Sequence, residues 1–227
     1  EFALWFGLPS SDKYLLEARY LGDSLYGRTS WGYLRAHNYK DRPSHADQLH
    51  FDLWWRGLNI ARDAGSYLYN VASPWDNALT HTSVHNTVSV DGCEQMSRAS
   101  RFLYLDWAPA KIKRSIEADP DILQVAVAWH TGYRRLGVRH ERSVTVFNDE
   151  HWQVQDTLLF IKPNQPQRTF RLHWLLPDWD WQLDEKADGI ELRLASPHGW
   201  LKVLLRSDHP GAHFSLLQAG QVLQGQE

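Results

Sequence analysis

The chain has 227 residues, a formal net charge of -3 near neutrality, 12 tryptophans and one cysteine. That length can bury a sizeable core in one domain or two, and all-β units often reach it as one. The charge argues against a generally basic nucleic-acid binder, the lone Cys93 excludes an internal disulfide framework, and no apolar run approaches the roughly 20 residues of a membrane span.

The opening Glu1-Phe2-Ala3-Leu4-Trp5 has neither an initiator Met nor a charged leader, so the sequence reads as the interior of a longer polypeptide. Residues 14–21 and 31–39 are β-rich and flanked by turn formers. In 47–56, Leu49, Phe51, Leu53 and Trp55 alternate with Gln48, His50, Asp52 and Trp54, a period of two that puts one face on a core. Gly57 permits a turn, and 58–63 reads as the returning strand. Residues 64–85, with Gly65, Asn70, Ser73, Pro74 and Asn77, form a long and mostly irregular connection of the kind that often carries function.

Strand candidates follow at 86–91, 101–107, 111–117, 122–130, 138–147, 151–160, 168–176, 180–184, 189–194 and 199–206. Between them lie the turn pairs Asp91-Gly92, Asp119-Pro120, Asn148-Asp149, Pro163-Asn164 and Asp188-Gly189. The tail, 207–227, reads as an edge strand with a frayed end. Nothing sustains a helical period over a dozen residues, and no internal repeat is present. The expectation is one all-β domain over 1–227, a sandwich or barrel.

Several groups could carry chemistry. His45, Asp63 and His85 offer two imidazoles and a carboxylate, a donor set suited to zinc; the plain alternative is two loop histidines and a turn aspartate. Strand register complicates the zinc reading. If Arg56-Gly57 is a two-residue turn, Asp63 faces His50, and it reaches His45 only if the chain bulges or bends near the strand end. Tyr67 and Tyr69, with Tyr33 and Tyr39 upstream, are either proton carriers or packing aromatics. Segment 98–142 holds nine Lys or Arg against five Asp or Glu, a stretch that would attract a polyanion or form a solvated sheet face. The tryptophans fill a wide core or, at Trp54, Trp75 and Trp107, stack on sugars. No P-loop, nucleophile elbow, CxxC or HExxH motif occurs.

The run Arg42-Pro43-Ser44-His45-Ala46-Asp47-Gln48-Leu49-His50-Phe51 resembles a signature of the heparinase II/III-like polysaccharide lyases. Asp63-Ala64-Gly65-Ser66-Tyr67 is similar to that family's D-x-G-x-Y turn, and His85-Asn86-Thr87-Val88 to its HNT segment. The three occur in the family's order within about residues 14–107. The resemblance implies a C-terminal antiparallel β-sandwich of the supersandwich type, preceded in the whole protein by a helical toroid that is missing here. It implies β-elimination on acidic, uronic-acid-containing polysaccharide in the bacterial periplasm or outside the cell. It also implies a structural zinc on His45, Asp63 and His85. Tyr67 and Tyr69 would then handle protons, and Arg42, His50, Trp75 and Asn86 would lie along the substrate. One departure stands out. Many members carry a substrate-facing histidine two residues before the first zinc histidine, and here that position is Pro43, which cannot exchange a side-chain proton. His37, His50 and His81 are the nearby alternatives. A non-catalytic carbohydrate-binding or scaffold domain, or a degenerate member acting in polysaccharide assembly, is the rival reading.

Overall fold

A computed structural model describes residues 2–7, 23–66, 71–72, 76–115, 119–164, 166–218 and 221–224. The architecture is all-β and antiparallel. One sheet has eight strands, in the spatial order Trp181–Lys186, Gly189–Ser196, Gly199–Ser207, Phe2–Gly7, His151–Phe160, Val138–Phe147, Ile122–His130 and Ala110–Ser115. A second has four, Ser24–Tyr26, Ser30–Leu34, Phe51–Trp55 and Leu58–Ala61, in chain order. Three two-stranded ribbons complete the described strands: Val88–Val90 with Phe170–Leu172, Ser97–Ser100 with Leu103–Leu105, and Leu216–Gln218 with Gln221–Gln224. No described helix is long and apolar enough to cross a membrane.

The two large sheets pack face to face where strands such as Phe51–Trp55 and Val138–Phe147 bury every second residue. Phe51, Leu53 and Trp55 point inward from the small sheet, and Val144, Val146, Trp152, Val154, Leu192, Leu194, Leu201 and Val203 from the large one, all in one apolar cluster. Removing such side chains from water supplies about 1.5–3 kcal/mol each. The centre of the interface is the Phe51 ring against Trp152, with centroids 5.8 Å apart. Gly32 makes room for this contact, since a Cβ there would lie 2.5 Å from Phe51 Cζ and 2.9 Å from Trp152 Cζ3.

The strands expected at 122–130, 138–147 and 151–160 occur with those bounds. Others differ. Phe2–Gly7, unexpected as a strand, joins His151–Phe160 to Gly199–Ser207 within the large sheet. The strand expected at 47–56 begins only at Phe51, because the His50 amide donates to the Asp47 carbonyl and Leu49 takes a left-handed φ of 60°. Segment 101–107 is half of a ribbon that begins at Ser97. The tail pairs with itself. Segment 14–21 lies outside the described residues.

Candidate metal centre

Three segments meet at one end of the small sheet, and each is held there by buried polar groups. The first runs from His45 to His50. The Gln48 side chain is fully buried, accepts from the His37 amide at 3.0 Å and donates to the carbonyls of His37 and Ala108 at 2.6 and 2.7 Å. Gln95 clasps the Gln48 backbone from the other side, accepting from its amide and donating to its carbonyl. Arg35 Nε donates to Asp47 Oδ1 at 2.6 Å.

The second segment follows the hairpin Phe51–Trp55/Leu58–Ala61. Arg56 and Gly57 both have positive φ, 49° and 81°, as a two-residue primed turn requires. Trp55 pairs with Leu58 as the turn predicts, but the ladder then slips: Trp54 faces Asn59 and Leu53 faces Ala61. Ile60 is thus the extra residue of a bulge, which re-aims the chain before Asp63. Asp63 Oδ1 accepts from the Gly65 amide at 2.6 Å, leaving Oδ2 directed at the histidines.

The third segment is His85-Asn86-Thr87. The Asn86 side chain, with no exposed surface, donates to the carbonyls of Phe51 and Arg62 at 3.0 and 2.9 Å and accepts from the Leu175 amide at 2.6 Å. With the Asn86 backbone amide donating to His50 Nδ1 at 2.9 Å, this residue joins all three segments. Thr87 Oγ donates to the Gln48 carbonyl at 2.9 Å.

The result is a cluster of donors. His45 Nδ1 lies 3.3 Å from His85 Nε2, and Asp63 Oδ2 lies 3.5 Å from the same His85 atom. The His85 ring has a defined tautomer: Nδ1–H donates to the His81 carbonyl at 2.7 Å, so Nε2 presents a lone pair. Burial, opposed by Asp47, holds this imidazole below its ordinary pKa and so favours the neutral form. Both separations are measured from His85 Nε2, and each is close to the roughly 3.3 Å edge of a tetrahedron with metal–ligand bonds of about 2.0–2.1 Å. Imidazole nitrogens and a carboxylate are donor types that zinc takes. The carboxylate that closes a three-donor group is Asp47, since donor atoms of His45, Asp47 and His85 all lie within 4.8 Å of one another, whereas Asp63 approaches His85 and His50. Asp47 is already paired with Arg35, whereas among the described residues Asp63 has no cationic side chain beside it other than through histidine.

The other expected site residues fall in different places. Arg42 is exposed and Pro43 buried. Asn86 and His50, expected along the substrate, are both buried, with 0% and 3% exposed; Asn86 is a strut between segments, and His50 faces Asp63. Tyr67, Tyr69 and Trp75 lie outside the described residues. Of the alternatives to the missing histidine, His81 is paired through Nδ1 with Glu94 at 3.3 Å. His37 is exposed and edge-on to Tyr39.

Sequence reasoning missed the support beneath the cluster. Arg142, also without exposed surface, donates through Nη1 to the carbonyls of Leu49 and Asn86 at 2.7 and 2.6 Å. It thereby fastens the first and third segments to the large sheet. Grouped by sequence with a surface basic stretch, Arg142 is the interior member of that stretch. The signal was present, since Arg142 has the same parity as the inward residues Val138, Val144 and Val146 of its strand. Other cations of the stretch are held locally, Arg98 by Asp76, Arg135 by Ser97 and the Glu94 carbonyl, and Arg139 by Glu141.

Comparison with known proteins agrees with this architecture. Among solved structures, a heparinase III aligns with a TM-score of 0.55 and 14% identity, covering 80% of this chain and 32% of that one. The heparan sulfate lyase HepC from Pedobacter heparinus aligns with a TM-score of 0.53 and 17% identity, covering 78% of this chain and 30% of that one. The chain thus spans about a third of the length of these proteins. No curated protein matches. The family model described as heparinase II/III-like, C-terminal, matches residues 32–221, and the chain belongs to that family.

Proposed function

We propose that this β-sandwich is the C-terminal part of a lyase that cleaves an acidic, uronic-acid-containing polysaccharide by β-elimination, in the periplasm or outside the cell. The observation that carries the reading is the meeting of the three motif segments at His45, Asp63 and His85, with donor atoms 3.3 and 3.5 Å apart. Those residues would hold a zinc ion, whose contribution is to tie the segments together.

In β-elimination a base removes the C5 proton beside the uronate carboxylate. The electron pair forms the C4–C5 double bond, the C4–O4 bond breaks, and an acid protonates the departing oxygen. A polar or cationic neighbour must first offset the carboxylate charge. On this reading a helical domain supplies the principal neutraliser and base, and the sandwich forms one wall of the cleft. Asp63 lies four and six residues before Tyr67 and Tyr69, so fixing its carboxylate fixes where the chain leading to them departs. Exposed Arg42 stands near His45 and offers charge to an acidic sugar. With Pro43 in the place of a histidine, proton transfer from this wall falls to Tyr67 or Tyr69.

The test is incubation of the full-length protein with uronic-acid polymers while following the absorbance of the unsaturated product. Product growth that is lost on Tyr67→Phe with Tyr69→Phe supports the proposal. Glycan binding without product favours a second reading, a carbohydrate-binding domain. Trp107 supports that alternative: the residue is 41% exposed, and its Nε1–H is held by the Tyr104 carbonyl at 2.9 Å.

A further inference from the structure

His50 is the third imidazole at the cluster, and register made it the natural competitor of His45 as a ligand. Its Nε2 lies 3.6 Å from Asp63 Oδ2 and 3.7 Å from Asp52 Oδ2. That nitrogen is buried and has no hydrogen-bond partner at normal distance, in a side chain only 3% exposed. Distance alone would admit it to a metal's coordination shell. The other ring nitrogen argues against this. His50 Nδ1 accepts a hydrogen bond from the Asn86 backbone amide at 2.9 Å. An amide N–H only donates, so Nδ1 carries the lone pair and the ring proton sits on Nε2. For Nε2 to bind a metal, the ring would have to lose that proton and become an imidazolate. His85 is arranged the opposite way, with its proton on Nδ1 and its lone pair on Nε2.

We infer that His50 is a positioning residue for the zinc site, a ring whose Nε2–H faces the Asp63 carboxylate at 3.6 Å and biases its orientation electrostatically, and that it is not a ligand. This rests on the zinc reading above. Asp63 is the most exposed member of the cluster, with 35% of its side chain accessible, and it leaves the sheet just after the Ile60 bulge. Its carboxylate needs two anchors to keep one rotamer. The Gly65 amide holds Oδ1, and His50 faces Oδ2. The Asn86 amide fixes the His50 tautomer, and Asn86 directly follows the ligand His85. One backbone step therefore sets which of two neighbouring histidines binds and which supports.

The experiment has two parts, both on the zinc-loaded full chain. X-ray absorption at the zinc edge counts imidazoles, and two are expected for the wild type. Competition with a chromophoric chelator then measures affinity for His50→Gln and His50→Leu. Both variants lose the Nδ1 acceptor, but glutamine keeps an N–H near the Nε2 position. His50→Gln should stay within a few-fold of wild type, and His50→Leu should bind about 10–100-fold more weakly, with two imidazoles in each. Three imidazoles in the wild type, or an equal loss of affinity in both variants, overturns the inference while leaving the zinc reading intact. A wild type that takes up no zinc overturns both.

Discussion

Arg142 and Asp156 lie directly opposite each other on neighbouring strands of the large sheet and form a two-pronged ion pair, Nε to Oδ1 at 2.8 Å and Nη2 to Oδ2 at 2.7 Å, with no more than 1% of either side chain exposed. The third guanidinium nitrogen reaches the Leu49 and Asn86 carbonyls, so the pair also supports the candidate metal centre. Leu49 holds a left-handed φ of 60°, a conformation that costs a non-glycine residue about 1–3 kcal/mol and persists only when its surroundings enforce it.

Breaking this pair from one side leaves a buried charge without its counterion. Arg142→Met and Asp156→Asn should each destabilise the fold by about 3–5 kcal/mol, read as a lowered urea midpoint. The double variant Arg142→Met/Asp156→Leu should recover part of the loss. A loss below about 1 kcal/mol in the single variants would show that the pair is not a structural keystone.

The pair continues into two buried histidines, and together they predict acid sensitivity. The Gly132 amide donates to His130 Nδ1 at 3.0 Å, His130 Nε2 faces His140 Nδ1 at 3.2 Å, and His140 Nε2 donates to Asp156 Oδ1 at 2.6 Å. Burial holds both imidazoles below their ordinary pKa. Burial alone would raise Asp156, but the Arg142 charge and the His140 hydrogen bond bring it down to about 2. The histidines stay neutral in the fold while the unfolded chain protonates as pH falls through about 6.5, so stability is lost from there downward. Asp156 adds a second loss as pH falls from about 4 toward 2. Urea midpoints of chelator-treated protein should be flat above pH 7 and fall steadily in acid; a midpoint unchanged between pH 7 and 5 would contradict this.

Gly32 predicts an overpacking defect. Gly32→Ala would push a methyl group into the Phe51 and Trp152 rings, at a cost of about 1–3 kcal/mol. Thermal unfolding should register it; a variant as stable as wild type would mean that the rings can part freely.

Asn86 should behave as a strut. Asn86→Ala removes two donors to backbone carbonyls and the acceptor of the Leu175 amide, at a cost of about 2–4 kcal/mol when the partners stay buried. Glycan affinity of the folded fraction should change little; a selective loss of binding at unchanged stability would restore the substrate-contact role read from the sequence.

Much of this was legible in the residues. Regular alternation over 122–160 marks three strands, and Arg56-Gly57 marks the hairpin turn. The three motifs identify which segments should converge. Phe2–Gly7 was hidden because FALWFG is apolar nearly throughout, without the alternation that marks a half-exposed strand, and its partners lie far along the chain. The bulge at Ile60 was also hidden, since a single extra residue leaves no mark on composition. That bulge turns a regular pairing of Asp63 with His50 into an approach to both His50 and His85. The structural role of Asn86 depends on two carbonyls and an amide from distant parts of the chain, which no local pattern records.

On the proposed zinc reading, His45, Asp63 and His85 gather around one divalent cation. Metal content of the purified protein, measured by mass spectrometry after exhaustive dialysis beside a His45→Ala control, tests it most directly. Close to one zinc per chain is expected in the wild type, with a clear loss in the control. A wild type free of zinc, or a control that retains as much, would contradict it.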